Sequence, residues 1–85
     1  MGNAFLIIEE YENLKRQPGE IVHNFSTRFN KVYHPIPTDI RPPPGVALLR
    51  YSNAFNIEME FQVRERDTTT LEEMQNIAVD VEVNY

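Results

Sequence analysis

The sequence predicts an all-α protein, a compact bundle of four to five short helices. Three observations predict it. Apolar residues recur at helical spacing in several separate stretches, most clearly in Ile21, Val22, Phe25, Phe29, Val32 and Tyr33. At about 100° per residue those six fall within an arc of roughly 120°. Helix-start chemistry precedes two of the stretches, at Gln17-Pro18-Gly19-Glu20 and at Asp67-Thr68-Thr69-Thr70. A proline-rich segment, 34–45, breaks the chain between them. With 85 residues and no low-complexity tract, the chain reads as one domain over 1–85, the Pro-rich connector lying inside it and residues 1–3 a start remnant.

The first helix is predicted from Ala4 to about Arg16, capped by Asn3. Ile7, Ile8, Tyr11 and Leu14 share one face, with Glu9, Glu10 and Glu12 between them. Lys15 and Arg16 stand at the end where the dipole favours cations, and Glu12 and Arg16 are spaced to pair. Phe5 and Leu6 fall outside the stripe and fit a frayed helix start, a local core contact or packing against a second subunit.

The second helix organises the rest. Gln17 is placed at the N-cap, Pro18 at the first helical position and Glu20 at the third, and the helix runs to about Tyr33. Proline suits that first position because its missing N–H would be unpaired there anyway. Glu20 can reach back to the cap N–H, and its charge meets the positive end of the dipole. Phe25 and Phe29 point to core packing. Arg28 borders the apolar arc. It either bonds a carboxylate or amide near the helix start, such as Glu20 or Gln17, or is a solvated surface charge.

Segment 34–45 carries five prolines, which force extended backbone on the residues before them. It fits a stiff bridge whose Ile36 and Ile40 plug the core, or a polyproline ligand centred on Pro42-Pro43-Pro44. A third helix starts near Pro44 or Gly45. Its face is Ala47, Leu48, Tyr51, Ala54 and Phe55, with Val46 and Leu49 at the edges. Ile57 to Arg66 then alternates apolar and polar, the pattern of a half-buried strand. Against a strand stand its lack of a pairing partner and its content of Glu, Met, Gln and Arg, all good helix formers. As a helix, kinked near Asn56, it carries Ile57 and Phe61 on one side and Met59 and Val63 on the other. The last helix opens on a Thr-x-x-Glu capping box, Thr69–Glu72 or Thr70–Glu73, and places Leu71, Met74, Ile77, Ala78 and Val81 on one face to about Val83.

Composition narrows the function. Formal charge is −5 and cysteine is absent. The acidic balance, with basic pairs only at Lys15-Arg16 and, more loosely, Arg28 and Lys31, argues against nucleic-acid binding through this segment. Without cysteine there is no disulfide, iron–sulfur cluster, thiolate zinc site or thiol nucleophile, which fits a reducing compartment. No apolar run approaches the ~20 residues of a membrane span. Met1-Gly2 opens like a myristoylation site, but Leu6 occupies the position that needs Ser or Thr. His23 and His34 have no metal-site spacing, no nucleophile sits beside a convincing base, and the glycines are scattered. The expectation is a non-enzyme without metal or cofactor.

The stretch Leu14-x-Arg16-Gln17-x-x-Glu20-x-Val22-x-x-Phe25-x-x-Arg28-Phe29 resembles the core motif of Gag proteins of gypsy-type LTR retrotransposons. It is also similar to the major homology region of retroviral capsid proteins, where Gln, Gly, Glu, an aromatic and Arg recur at nearly this spacing. Tyr51-Ser52-Asn53-Ala54-Phe55 resembles the family's aromatic-x-x-Gly-Leu segment, and Thr70-Leu71-Glu72-Glu73 with Ala78 and Glu82 its closing helix. Pro18-Gly19 replaces the usual Gly-x after Gln, and Ala54 stands where Gly is common.

The resemblance covers about Phe5 to Glu82. It implies a lobe like the retroviral capsid C-terminal domain, in the cytoplasm (intracellular), that forms a homodimer or higher oligomer and helps build a shell. Gln17, Gly19, Glu20, Phe25, Arg28 and Phe29 form the homology-region-like fold motif. Leu48, Tyr51, Phe55, Met59 and Val63, on the third helix and the alternating segment, are the expected self-association residues. A different reading is a domesticated Gag-like adaptor binding a host protein or peptide. A third is an unrelated acidic helical module.

Overall fold

The computed structural model describes residues 4–84, and side chains from Phe5 to Val83. Five helices follow one another: α1 (Ala4–Glu12), α2 (Val22–Tyr33), α3 (Pro44–Asn53), α4 (Ile57–Glu65) and α5 (Leu71–Asn84). There is no strand among the described residues. The Asn3 cap and the Met1-Gly2 start lie outside the described residues.

The five stripes meet in one core. Helix α5 packs on α2, α3 and α4, while α1 lies on α2 and α3 on α4. The centre is aromatic. Phe25 packs against Phe29, Tyr51 and Phe55, and Phe29 against Tyr11, Tyr33 and Tyr51, with ring centroids 5.2–6.2 Å apart. Tilted and edge-on pairs at this range add to the area they bury. Val22, Ile36, Ala47, Met59, Val63, Met74, Ala78 and Val81 close around the rings. The radius of gyration is 12.8 Å.

Several local expectations are corrected. Helix α1 ends at Glu12, four residues before Arg16: the Asn13 N–H still makes its helical bond to the Glu9 carbonyl at 3.1 Å, but the Asn13 side-chain amide shares that carbonyl at 2.9 Å and the Leu14 N–H tightens onto the Tyr11 carbonyl at 3.3 Å, closing the helix with a turn. The expected Glu12–Arg16 pair is thereby lost, and Arg16 goes elsewhere. Helix α2 does not start at Pro18. Gln17 to Glu20 form a tight turn closed by the Glu20 N–H on the Gln17 carbonyl at 3.0 Å. Gly19 sits at φ 79°, which is the type II arrangement of Pro then Gly. The helix begins one turn later, behind an extended Ile21 that supplies no side-chain cap.

The Pro-rich segment is a bridge. Ile36 is fully buried, but Ile40 is 43% exposed and plugs nothing. Arg41 clamps the segment by donating to the Ile36 carbonyl (3.1 Å) and the His34 carbonyl (2.7 Å). Tyr33 Oη donates to the Pro42 carbonyl at 2.8 Å. Pro44 opens α3 with its φ already set.

The alternating segment is helix α4. It is not a kinked continuation of α3. Asn56 breaks the two apart and caps α4, its Oδ1 accepting from the Met59 N–H at 2.9 Å. Its C-terminus stops at Asp67, which takes a left-handed φ of 54°. Thr70 caps α5 by accepting from the Glu73 N–H at 3.1 Å, and the Glu73 carboxylate reaches back to the Thr69 N–H at 3.1 Å. Those Thr69 bonds hold the Glu73 carboxyl below its ordinary pKa.

Candidate functional site

The features gathered by the sequence motif meet at the corner between α1, the Pro18-Gly19 turn and α2. Arg28, nearly two helical turns into α2, grips Glu20 with two parallel bonds, Nε to Oε2 at 3.0 Å and Nη2 to Oε1 at 2.9 Å. Nη2 also donates to the Lys15 carbonyl at 2.7 Å. Glu20 Oε1 in turn accepts from the Gln17 N–H at 2.9 Å. The carboxylate thus ties the turn to the helix, a fork geometry that only Arg supplies. The Arg28 bond holds the Glu20 carboxyl below the usual carboxylate range, and raises Arg28. The guanidinium carbon lies 5.5 Å from the Phe25 ring centre, so the polar clasp rests on the aromatic core.

Each residue of the motif has a distinct place here. Gly19 supplies the positive φ, and Glu20 and Arg28 the clasp. Gln17 contributes its main chain, since its side chain bonds the Lys15 carbonyl instead. Phe25 and Phe29 are fully buried.

Sequence reasoning missed a second clasp on the same corner. Glu82, near the end of α5, accepts from the Val22 N–H at 3.0 Å and from Arg16 Nη2 at 3.0 Å, both through Oε2. The first N–H groups of a helix lack internal partners, and its start favours negative charge. With Ile21 unable to cap α2, a carboxylate from the far end of the chain does so. Arg16 also donates to the Glu20 carbonyl at 2.8 Å, so the two clasps share a strand of backbone. The sequence marks Glu82 only as an acidic residue next to Val81 and as a position of the closing-helix resemblance, and neither reveals a partner so distant along the chain.

A third polar group lies deeper. Ser26 and Tyr51 share a hydroxyl bond of 2.6 Å inside the core. Burial pushes the Tyr51 phenol up to about 12, against the opposing pull of Ser26. Tyr11 is likewise pushed to about 12, by burial first, and its hydroxyl is buried with no hydrogen-bond partner among the described residues.

The residues expected to mediate self-association divide differently. Tyr51, Phe55, Met59 and Val63 are buried in the chain's own core and present no surface, while Leu48 is half-buried. The fully buried aromatic cluster claims the inner faces of α3 and α4. What these helices show to solvent is the opposite side: Val46 and Leu49 on α3, Ile57 and Phe61 on α4. Ile57 and Phe61, with Glu58, Glu60 and Arg64, line an open groove of about 440 Å³.

Among the described residues no group of three or more His, Asp or Glu is placed to hold a metal ion, and no helix is long and apolar enough to cross a membrane. Comparison of the chain with protein-family models, curated proteins and solved structures finds no match.

Proposed function

We propose that this chain is a self-association domain of capsid type, similar to the C-terminal capsid lobe of retrotransposon Gag proteins, whose contacts with copies of itself contribute to shell assembly. The observation that carries the reading is the Glu20–Arg28 clasp. It joins two polar residues of the homology-region-like motif in a bidentate pair across the turn that precedes the helix. The motif's aromatic residues lie beneath it in the core. In this reading the motif holds the lobe in shape, and the outer helix faces make the contacts. The exposed large apolar residues on α3 and α4 support that division of labour. Individual contacts need only be weak, because neighbours in a shell raise one another's effective concentration.

Light scattering across concentration tests the reading. Association that grows with concentration is the expected result. A strict monomer that instead binds a peptide saturably would favour the adaptor reading.

A further inference from the structure

We propose that the outer face of α4, centred on Phe61, is where a second copy of this chain docks, antiparallel, with Glu58 of each copy against Arg64 of the other. The proposal rests on the self-association reading and specifies its surface. Three observations carry it.

The first is an apolar centre with no cover from its own chain. Ile57 is 82% exposed and Phe61 65%, although the same helix buries Met59 and Val63 completely or nearly so. Helix α4 is therefore firmly seated on its inner side while its outer side presents two large apolar groups one turn apart.

The second is the arrangement of charge. Glu58 and Arg64 stand three residues before and three after Phe61, on the same outer face. When a helix pairs antiparallel with its own copy about a central residue, positions equally spaced before and after that residue face each other. A two-fold through Phe61 therefore sets Glu58 against Arg64 twice over, with the two Phe61 rings in contact. The pattern is self-complementary, as an isologous interface requires. A parallel pairing would set like charges together.

The third is the pre-positioning of Arg64. Its Nε donates to Ser52 Oγ at 3.1 Å, and Nη2 reaches both Asn53 and Glu60 Oε2, the latter at 2.8 Å. These bonds hold the guanidinium at the edge of the groove, and with five donors it is not exhausted by them. An already ordered side chain loses less freedom on docking.

The chain's charge of −5 weighs against an anionic membrane or nucleic acid as the occupant, and the mixed signs around the groove match a copy better. Two apolar residues and their flanking charges cover far less than the ~800 Å² per partner of a standard stable interface. The contact is accordingly weak and becomes useful when repeated in an assembly.

The test uses the full chain and sedimentation equilibrium. Phe61→Asp should raise the self-dissociation constant by roughly tenfold or more, and Val83→Asp, on another exposed site, should leave it unchanged. Circular dichroism should show both variants folded, since neither residue is in the core. Because the chain has no cysteine, Phe61→Cys offers an independent readout: with diamide as oxidant, it should form a disulfide-linked dimer much faster than Val83→Cys. Unaltered association of Phe61→Asp, with no preferential cross-linking at residue 61, would overturn the α4 surface while leaving self-association standing. A wild-type chain that stays monomeric would overturn both. A foreign amphipathic peptide that binds the α4 face of a monomeric chain would overturn the choice of occupant.

Discussion

Removing the Arg28 side chain is the sharpest perturbation of the corner. Arg28→Ala deletes a two-bond pair with Glu20, a bond to the Lys15 carbonyl and a cation–aromatic contact with Phe25. The Arg28 and Glu20 side chains are 39% and 14% exposed, so solvent screens the pair. Its share is about 1 kcal/mol, the upper end for exposed pairs. The carbonyl bond adds ~0.5–1.5 kcal/mol, and the ring contact ~0.5–1 kcal/mol. These terms overlap, and about 2 kcal/mol is the expected total. For a domain of this size that lowers the melting temperature by about 10 °C. Lys31, exposed and three residues on, is the control: Lys31→Ala should stay within ~0.5 kcal/mol. Thermal and urea melts of the two variants measure the difference. A double-mutant cycle with Glu20→Gln should return a coupling near ~1 kcal/mol that shrinks in high salt. Equal melting temperatures for the two alanine variants would make Arg28 ordinary surface and refute the clasp.

The other predictions concern the core and the second clasp. Phe25→Ala should cost ~3–5 kcal/mol, enough to unfold much of the population, because Phe25 is fully buried among Phe29, Tyr51 and Phe55; an unchanged melt would contradict the core assignment. Glu82→Ala should destabilise by ~1–2 kcal/mol, since it uncaps α2 and leaves Arg16 without its carboxylate, while Glu72→Ala should not. Tyr11→Phe should stabilise by about 1 kcal/mol in a urea melt, by removing a buried hydroxyl without a partner. Stability should also fall as pH rises from 10.0 towards about 12. Over that window the unfolded chain releases the Tyr11 and Tyr51 protons that the folded chain retains, so unfolding gains favour by up to ~1.4 kcal/mol per pH unit for each tyrosine. A flat urea midpoint across the window would refute it.

The helical class and the inward stripes of α1, α2, α3 and α5 were legible because each stripe repeats at the period of its own helix; Ile21 is the exception in the second stripe, 52% exposed because the backbone is extended there and the helix starts only at Val22. Phe25, Phe29, Tyr51, Met74, Ala78 and Val81 are all buried as their spacing implies. Helix α4 was harder. Its strict alternation matches a strand, and as a helix it has apolar residues on two sides, so periodicity alone does not say which side turns inward. The answer depends on which side meets α3 and α5, a property of the assembled fold. Met59 and Val63 meet them, leaving Ile57 and Phe61 outside.

Helix starts were misread where backbone chemistry overrode a local pattern. Pro18 fits a first helical position equally well as the second corner of a type II turn, and the positive φ of Gly19 decides for the turn. The carboxylate expected to cap locally still reaches the Gln17 N–H, but across that turn. Glu82 was illegible for a different reason. Its partners Arg16 and Val22 lie at the other end of the chain, and no spacing rule links residues so far apart.

Self-association is the claim on which the functional account depends, and sedimentation velocity of the wild-type chain from micromolar to millimolar concentration tests it most directly. The account predicts a weight-average mass that climbs from the monomer's 10.0 kDa towards at least twice that value. A mass that stays at the monomer value throughout would contradict it.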